Sequence, residues 1–434
     1  MTEANLTRRT EERRLRGRAA AAALAAALLA LAGCQFGALG RDLRTLDQNG
    51  YLRGTLRVPA GAAADPVVVV ALRPGDERGT PADWLVLARP GPYFLVVPVG
   101  EYRVGAFVDR NHSLTHDPGE PVAWARGGEP VEVRPGATTA GLDLALRQDA
   151  AAPAIAAALP ARASAGVDGL PASRIGELVT LEDARFSNAA ASIGLWRPVE
   201  FLVDIGAGIY FLEPYDPERT PVLFVHGALG HPGNWRTLAA GLDRNRFQAW
   251  FAYYPSAVRL EIAAAALRRW LQALEIEYDF PRLVLIAHSM GGLVSRAYLG
   301  DDPSGLGGRL EQLTFVSIAT PWNGHPAAAF GAARAPVAAP AWFDLSPGSP
   351  FLTTLFDAPL PPYATHDLFF AYGGSRRRRT ANDGVVTVKS QLPTRVQQQA
   401  RRVMGFDDGH AAVLDSPVLA DELWRSLADV EPLP

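Results

Sequence analysis

Ser289 sits where the chain changes character. The run Arg-Leu-Val-Leu-Ile-Ala-His-Ser is nearly continuous in large apolar residues, and Met-Gly-Gly-Leu-Val-Ser-Arg-Ala-Tyr-Leu follows with helical character. Ala287-His288-Ser289-Met290-Gly291 is therefore a strand–turn–helix element, and small residues stand two before and two after the serine. A serine on so tight a turn has its hydroxyl exposed, and the helix behind it offers its N-terminus to a developing anion. A hydroxyl is a weak nucleophile until a base takes its proton. Two further chemistry-bearing residues follow strand-like runs downstream. Asp383, in Asn-Asp-Gly-Val-Val, comes after His-Asp-Leu-Phe-Phe-Ala-Tyr-Gly-Gly, and His410, in Asp-Asp-Gly-His, comes after Arg402–Phe406. The chain has eight histidines, and none but His410 lies beyond Asp383.

The elements that must position these residues alternate. From residue 181 onward, Val222–Val225, Phe247–Tyr254, Leu283–Ala287, Leu313–Ile318 and Leu368–Tyr372 read as strands buried on both faces. Between the second and third, Leu260, Leu267, Trp270, Leu271 and Leu274 share one helical face. Alternating β and α units predict a doubly wound parallel sheet, an α/β class fold. Ligands in such sheets gather at the carboxyl edge of the strands, where Ser289, Asp383 and His410 all fall. Residues 50–147 read differently, as short strands such as Tyr51–Val58, Pro66–Leu72 and Tyr102–Asp109 punctuated by Pro-Gly and Val-Gly turns, the outline of a small all-β sandwich. An Ala/Pro-rich linker is expected over 148–180, and the α/β domain over 181–434.

The N-terminus reads as an address. Residues 7–18 are strongly basic, and residues 19–32 contain only alanine and leucine, too short to span a bilayer but suited to a signal-peptide core. The run ends in Leu31-Ala32-Gly33-Cys34, around the sole cysteine of the chain. This resembles the lipobox of bacterial lipoproteins. That resemblance implies a signal peptide over 1–33, cleavage before Cys34, acylation of its thiol and new amino group, and a tether over 34–49. Gln35 after the cysteine implies the outer membrane of a bacterial envelope. The rest of a twin-arginine motif is missing.

Composition bounds the rest. A 434-residue chain with net charge −3 offers nothing that suggests a nucleic-acid partner, and its basic charge is almost all arginine, with Lys389 the only lysine. There is no His-Glu-x-x-His and no cysteine cluster, so no metal or cofactor is expected.

Phe-Val-His-Gly-Ala-Leu-Gly-His-Pro-Gly-Asn-Trp, Tyr-Tyr-Pro-Ser-Ala, Ile-Ala-His-Ser-Met-Gly-Gly, Ile-Ala-Thr-Pro-Trp-Asn-Gly and Asn-Asp-Gly-Val-Val together resemble the lipase and esterase branch of the α/β-hydrolases, over residues 205–427. The resemblance implies Ser289 as nucleophile, Asp383 as acid and His410 as base, with the backbone N–H groups of Ala228 and Met290 as oxyanion donors. It departs from the pattern chiefly in Ala287, where glycine is usual. His226 and His288 are then supporting residues rather than bases, and Asp357 and Asp367 are weaker rivals for the acid. The implied activity is hydrolysis of lipid-like carboxylic esters. An acyltransferase or amidase would use the same residues, and a non-catalytic envelope binding protein would share the fold.

Three further expectations attach to segments. Pro-Tyr-Phe-Leu-Val-Val-Pro-Val-Gly-Glu-Tyr and the loop beyond it resemble transthyretin-like or carboxypeptidase-regulatory-like β-domains. That loop carries Asp109, Asn111, Asp117 and Glu120, either a calcium cluster without EF-hand spacing or plain turn formers. Trp342, Phe343, Phe351, Leu352, Leu355 and Phe356 line either a lid and acyl pocket or core, and Arg376–Arg379 are either a solvated loop or a contact for anionic headgroups.

Overall fold

The computed structural model describes residues 33–58, 65–75, 80–146, 172–301, 309–373, 381–428 and 430. The signal segment up to residue 32, most of the expected linker and Arg376–Arg379 lie outside the described residues.

The N-terminal region folds as mostly antiparallel sheets, as its alternating pattern predicts. Its strands are β1 Asn49–Arg57, β2 Val67–Leu72, β3 Asp83–Leu87, β4 Pro92–Pro98, β5 Gly100–Val108, β6 Val122–Trp124, β7 Val131–Val133, β8 Thr138–Thr139 and β9 Leu144–Ala145. One sheet runs β4-β1-β8 with β9 also on β1, and the other runs β3-β2-β5-β6 with β7 also on β5. Of these strands, only the short β8 and β9 run parallel to their partner, β1. Leu52 and Leu56 of the first sheet and Val67, Val69, Val104 and Val131 of the second fall in one buried cluster, so the sheets close on each other face to face. In the loop after β5, the Asp109 carboxylate accepts from the N–H groups of Ser113 and Leu114, and that of Glu120 from those of Arg110 and Asp117. These residues act as turn formers there.

The third sheet, in the C-terminal region, has eight strands in the order β10-β11-β13-β12-β14-β15-β16-β17. Its members are β10 Arg174–Leu178, β11 Gly208–Phe211, β12 Thr220–Val225, β13 Phe247–Tyr253, β14 Arg282–His288, β15 Gln312–Ile318, β16 Ala364–Ala371 and β17 Arg402–Phe406. From β13 to β17 every pairing is parallel. The helices Leu260–Tyr278 and Met290–Asp301 cover one face, in a cluster with Leu223, Leu285 and Phe315. Trp235, Leu238, Leu419 and Leu423 cover the other, against Val222, Ile286 and Val316. The all-apolar strands follow from this, since each needs apolar side chains on both faces.

Three features depart from the sequence reading. Residues 33–46 form a helix where a tether is expected over 34–49, because Phe36, Leu39 and Leu43 recur at helical spacing and Leu39 is buried with Leu195, Ala257 and Ala339. The end of the 148–180 segment is the edge strand β10, whose small and polar residues need cover only a half-buried edge. The sheet is not wholly parallel, since β11 runs antiparallel to β13 and β10 follows it.

The two sheet systems dock on helix Leu260–Tyr278. Its apolar face buries Leu267, Trp270, Leu271 and Leu274. Its opposite face presents Arg269, whose guanidinium forks onto Asp83 at 2.5 and 2.8 Å, and Gln272, whose amide donates to the Pro92 carbonyl at 2.9 Å.

Candidate active site

Strand β14 delivers Ser289 to the carboxyl edge of the sheet and the helix Met290–Asp301 starts immediately behind it. Ser289 has φ 53°, a left-handed conformation that a non-glycine residue adopts only under constraint. The constraint is visible. Ser289 N–H donates to the Ile318 carbonyl at 2.8 Å, tying the turn to β15. A Cβ on Gly291 would stand 2.4 Å from the Val225 carbonyl oxygen, so the position two beyond the serine must be glycine.

His410 follows β17 and Asp383 follows β16. The structure brings all three side chains into one chain of hydrogen bonds. His410 Nε2 lies 2.9 Å from Ser289 Oγ, and His410 Nδ1 lies 2.6 Å from Asp383 Oδ2. A carboxylate can only accept, so Nδ1 carries the proton and Nε2 is free to receive one from the serine. Asp383 is buried, and its Oδ1 accepts the N–H groups of Val385 at 2.9 Å and Val386 at 2.6 Å. The His410 N–H donates to the Asp383 carbonyl at 2.8 Å, so backbone and side chain bind these residues together. The rivals stand apart from this chain: Asp367 is buried in a two-point pair with Arg401, and Asp357 is exposed.

The turn after β12 lies against the serine. A Cβ on Gly227 would come within 2.7 Å of Ser289 Cβ and 3.2 Å of its Oγ, so only glycine lets this backbone approach. Ala228 follows this glycine in the turn, and Met290, the first residue of the helix, follows Ser289 directly.

His226 and His288 are buried and held by hydrogen bonds of their own. Tyr254 N–H donates to His226 Nε2 at 3.2 Å, Nδ1 meets the Gly227 carbonyl at 2.7 Å, and the ring stacks on Tyr254. Burial pushes its pKa down to about 4, so it stays neutral. His288 donates through Nε2 to the His410 carbonyl at 2.8 Å. Burial, helped by the neighbouring His410, pushes His288 down to about 3.

Gln391 is a site residue that sequence reasoning missed. It is fully buried, donates through Nε2 to Asp383 Oδ2 at 3.1 Å, and spans both polar groups of Ala371 at the end of β16. A glutamine in a four-residue helix carries no motif, so no signal in the sequence marks it. Of the aromatic segment, Leu352 and Leu355 are buried and Trp342, Phe351 and Phe356 pack on the core, while Phe343 is exposed. Among the described residues, no group of three or more His, Cys, Asp or Glu side chains is placed to hold a metal ion.

A family model described as the alpha/beta hydrolase fold matches residues 220–329, the stretch from β12 through Ser289 to the segment after β15. With the strand order above, this defines the fold as an α/β-hydrolase preceded by antiparallel β-sheets. Solved structures similar to the chain include the mature lipase BlEst2 of Bacillus licheniformis, 18% identical over 51% of this chain and 95% of that one, with a TM-score of 0.39. Lipase B of Aspergillus fumigatus is 14% identical over 61% of this chain and 63% of its own, at a TM-score of 0.40. A metagenomic carboxyl esterase is 14% identical over 50% and 77%, at 0.36. A sequence comparison with curated proteins finds no match.

Proposed function

We propose that the chain is a serine hydrolase of carboxylic esters with apolar acyl groups, acting through an acyl-enzyme. The observation that carries this reading is the unbroken chain Ser289–His410–Asp383 at 2.9 and 2.6 Å, with its serine on a strained turn at a helix N-terminus. His410 Nε2 takes the Ser289 proton as Oγ attacks the ester carbonyl, and Asp383 holds the imidazole in the required tautomer and stabilises its cation. The Ala228 and Met290 N–H groups take the charge of the tetrahedral oxyanion. His410 then protonates the departing alkoxide, the ester C–O bond breaks, and the acyl group stays on Oγ. Water, deprotonated by the same imidazole, attacks the acyl carbonyl and returns the free serine and the acid. No cofactor enters any step.

The proposal extends to location. The Leu-Ala-Gly-Cys box supports cleavage before Cys34, diacylglyceryl transfer to its thiol and residence on the membrane of a bacterial cell envelope; the cysteine is exposed at the start of the described chain.

The test is turnover of p-nitrophenyl esters of graded chain length, with a fluorophosphonate probe for the nucleophile. Labelling at Ser289, lost in Ser289→Ala, and cleavage of esters that falls by about 10⁴ to 10⁶ in kcat without Ser289 or His410 are expected. A wild-type chain that takes no probe and cleaves no ester refutes the reading.

A further inference from the structure

Among the described residues, the exposed phenylalanines are two, Phe330 at 67% and Phe343 at 48%, and both lie in the segment 326–345. Burying such rings is strongly favourable, so a pair left in water marks a surface that something else covers. Phe330 lies on helix Pro326–Arg334 and Phe343 on helix Pro340–Leu345. These helices pack closely, since a Cβ on Gly331 would stand 3.0 Å from the Trp342 ring.

The N-terminal helix, residues 33–46, joins the same corner. The Phe36 ring meets Trp196 edge-on at 5.2 Å, and Trp196 meets Trp342 at 6.1 Å. A Cβ on Gly40 would touch Val337, between the two Phe-bearing helices, at 3.3 Å. Cys34 is exposed among the first described residues of this helix, and the sequence before it, residues 19–32, is alanine and leucine throughout. The Leu-Ala-Gly-Cys box would attach acyl chains to Cys34, and so place hydrocarbon at this corner.

We propose that the surface bearing Phe330 and Phe343, beside the start of the N-terminal helix, rests on a lipid bilayer and holds the mouth of the Ser289 site at its surface. The substrate-class part of this rests on the ester-hydrolase reading, and the surface itself does not. The cations at the corner suit lipid headgroups: Arg334 lies 6.0 Å from the Phe330 ring centre, and Arg41 and Arg44 are exposed on the N-terminal helix. The corner is also wired to the site. His325 caps the Phe330 helix, accepting from Ala327 N–H through Nδ1, and its Nε2 donates to the Val385 carbonyl at 2.8 Å, two residues from Asp383. Val385 and Leu229, on the acid loop and beside Ala228, are themselves exposed apolar side chains. An apolar ester leaving the bilayer here reaches Ser289 without crossing bulk water.

The experiment uses the full chain reconstituted into phosphatidylethanolamine–phosphatidylglycerol vesicles that carry a photoactivatable phospholipid. Crosslinks should map to 326–345 as well as to the region of Cys34. In Phe330→Ser/Phe343→Ser, crosslinking at 326–345 and hydrolysis of a vesicle-embedded ester should each fall at least tenfold, with turnover of p-nitrophenyl acetate unchanged. Crosslinks confined to the first residues, or unchanged in the double variant, overturn the proposal. So does a dimer in detergent that the double variant disperses, which would make a second copy the occupant. Should the wild-type chain cleave no ester while the crosslinks behave as expected, the hydrolase reading falls and the surface stands.

Discussion

The side-chain amide of Gln391 donates to Asp383 Oδ2 at 3.1 Å, onto the same oxygen that receives the Nδ1–H of His410 at 2.6 Å. It also accepts from Ala371 N–H at 2.9 Å and donates to the Ala371 carbonyl at 3.0 Å, so it staples the acid loop to the end of β16. Gln391→Leu removes this staple and leaves the Ala371 groups unpaired in a dry place. We expect a stability loss of about 2 kcal/mol by urea unfolding. The kcat for a soluble ester should fall about 10- to 100-fold with KM little changed, because Asp383 keeps its Val385 and Val386 donors but loses its fixed aim. An unchanged kcat in a folded Gln391→Leu would remove the residue from the acid's support.

The approach of Gly227 to the serine should be equally measurable. Gly227→Ala places a methyl 2.7 Å from Ser289 Cβ and 3.0 Å from the His288 carbonyl oxygen, neither of which can yield without moving the elbow. Because the Ala228 N–H moves with it, kcat should drop about 10²- to 10³-fold, the scale of one lost oxyanion donor. Steady-state kinetics on p-nitrophenyl butyrate decides this.

The dock between the two sheet systems rests on a buried carboxylate. Asp83 is 1% exposed and pairs with Arg269, while the N–H groups of Trp84 and Val96 also donate to it. Arg269→Ala strips the charge partner but leaves those two donors, so the expected cost is about 2 kcal/mol, below the 3–5 kcal/mol of a wholly orphaned charge. Asp83→Asn/Arg269→Met, which removes both charges, should recover most of it. Thermal unfolding of the three proteins checks the order.

Stability should fall steeply in mild acid. Burial holds His226 at about 4 and His288 and His366 at about 3, against 6.5 for the free side chain. Between pH 6.5 and 4 the unfolded chain therefore binds protons that the native chain refuses, and stability drops as pH falls through this window. Asp344 opposes this. Burial raises it to about 6, so it favours the native chain as pH falls from 6 to its ordinary value of 3.8. Among these four groups, the unfolded chain binds about two more protons than the native one near pH 5, or about 3 kcal/mol per pH unit, and His231, which burial also lowers, acts in the same direction. Urea midpoints at pH 5 and pH 7 that coincide would contradict the burial of these histidines.

The sequence was most legible where local constraint and burial act together. The all-apolar runs around Leu223, Leu285 and Phe315 could satisfy both faces of a sheet only as parallel inner strands, and they are such. The elbow was legible because Ser289 at positive φ requires small residues beside it. The edge strand β10 and its neighbour β11 were not, since an edge asks for little apolar content and β11 is a four-residue run whose second partner, β13, lies some forty residues further along the chain. The helix at residues 33–46 was missed because a short amphipathic run is not stable by itself and forms on the surface of Leu195, Ala257 and Ala339.

By itself, then, the sequence determined the identity of the inner parallel strands, the turn that exposes Ser289, and the candidate status of Asp383 and His410 as polar residues beyond strand ends. The tertiary structure alone decided that Asp383 and not Asp367 faces His410, that Gln391 and His288 hold them, and that the N-terminal helix lies beside Phe330 and Phe343. The physical reason is range. Strand burial and turn strain are set by residues within a few positions of one another, whereas a hydrogen bond between residues 121 apart, as between His410 and Ser289, exists only once the sheet has placed their strand ends side by side.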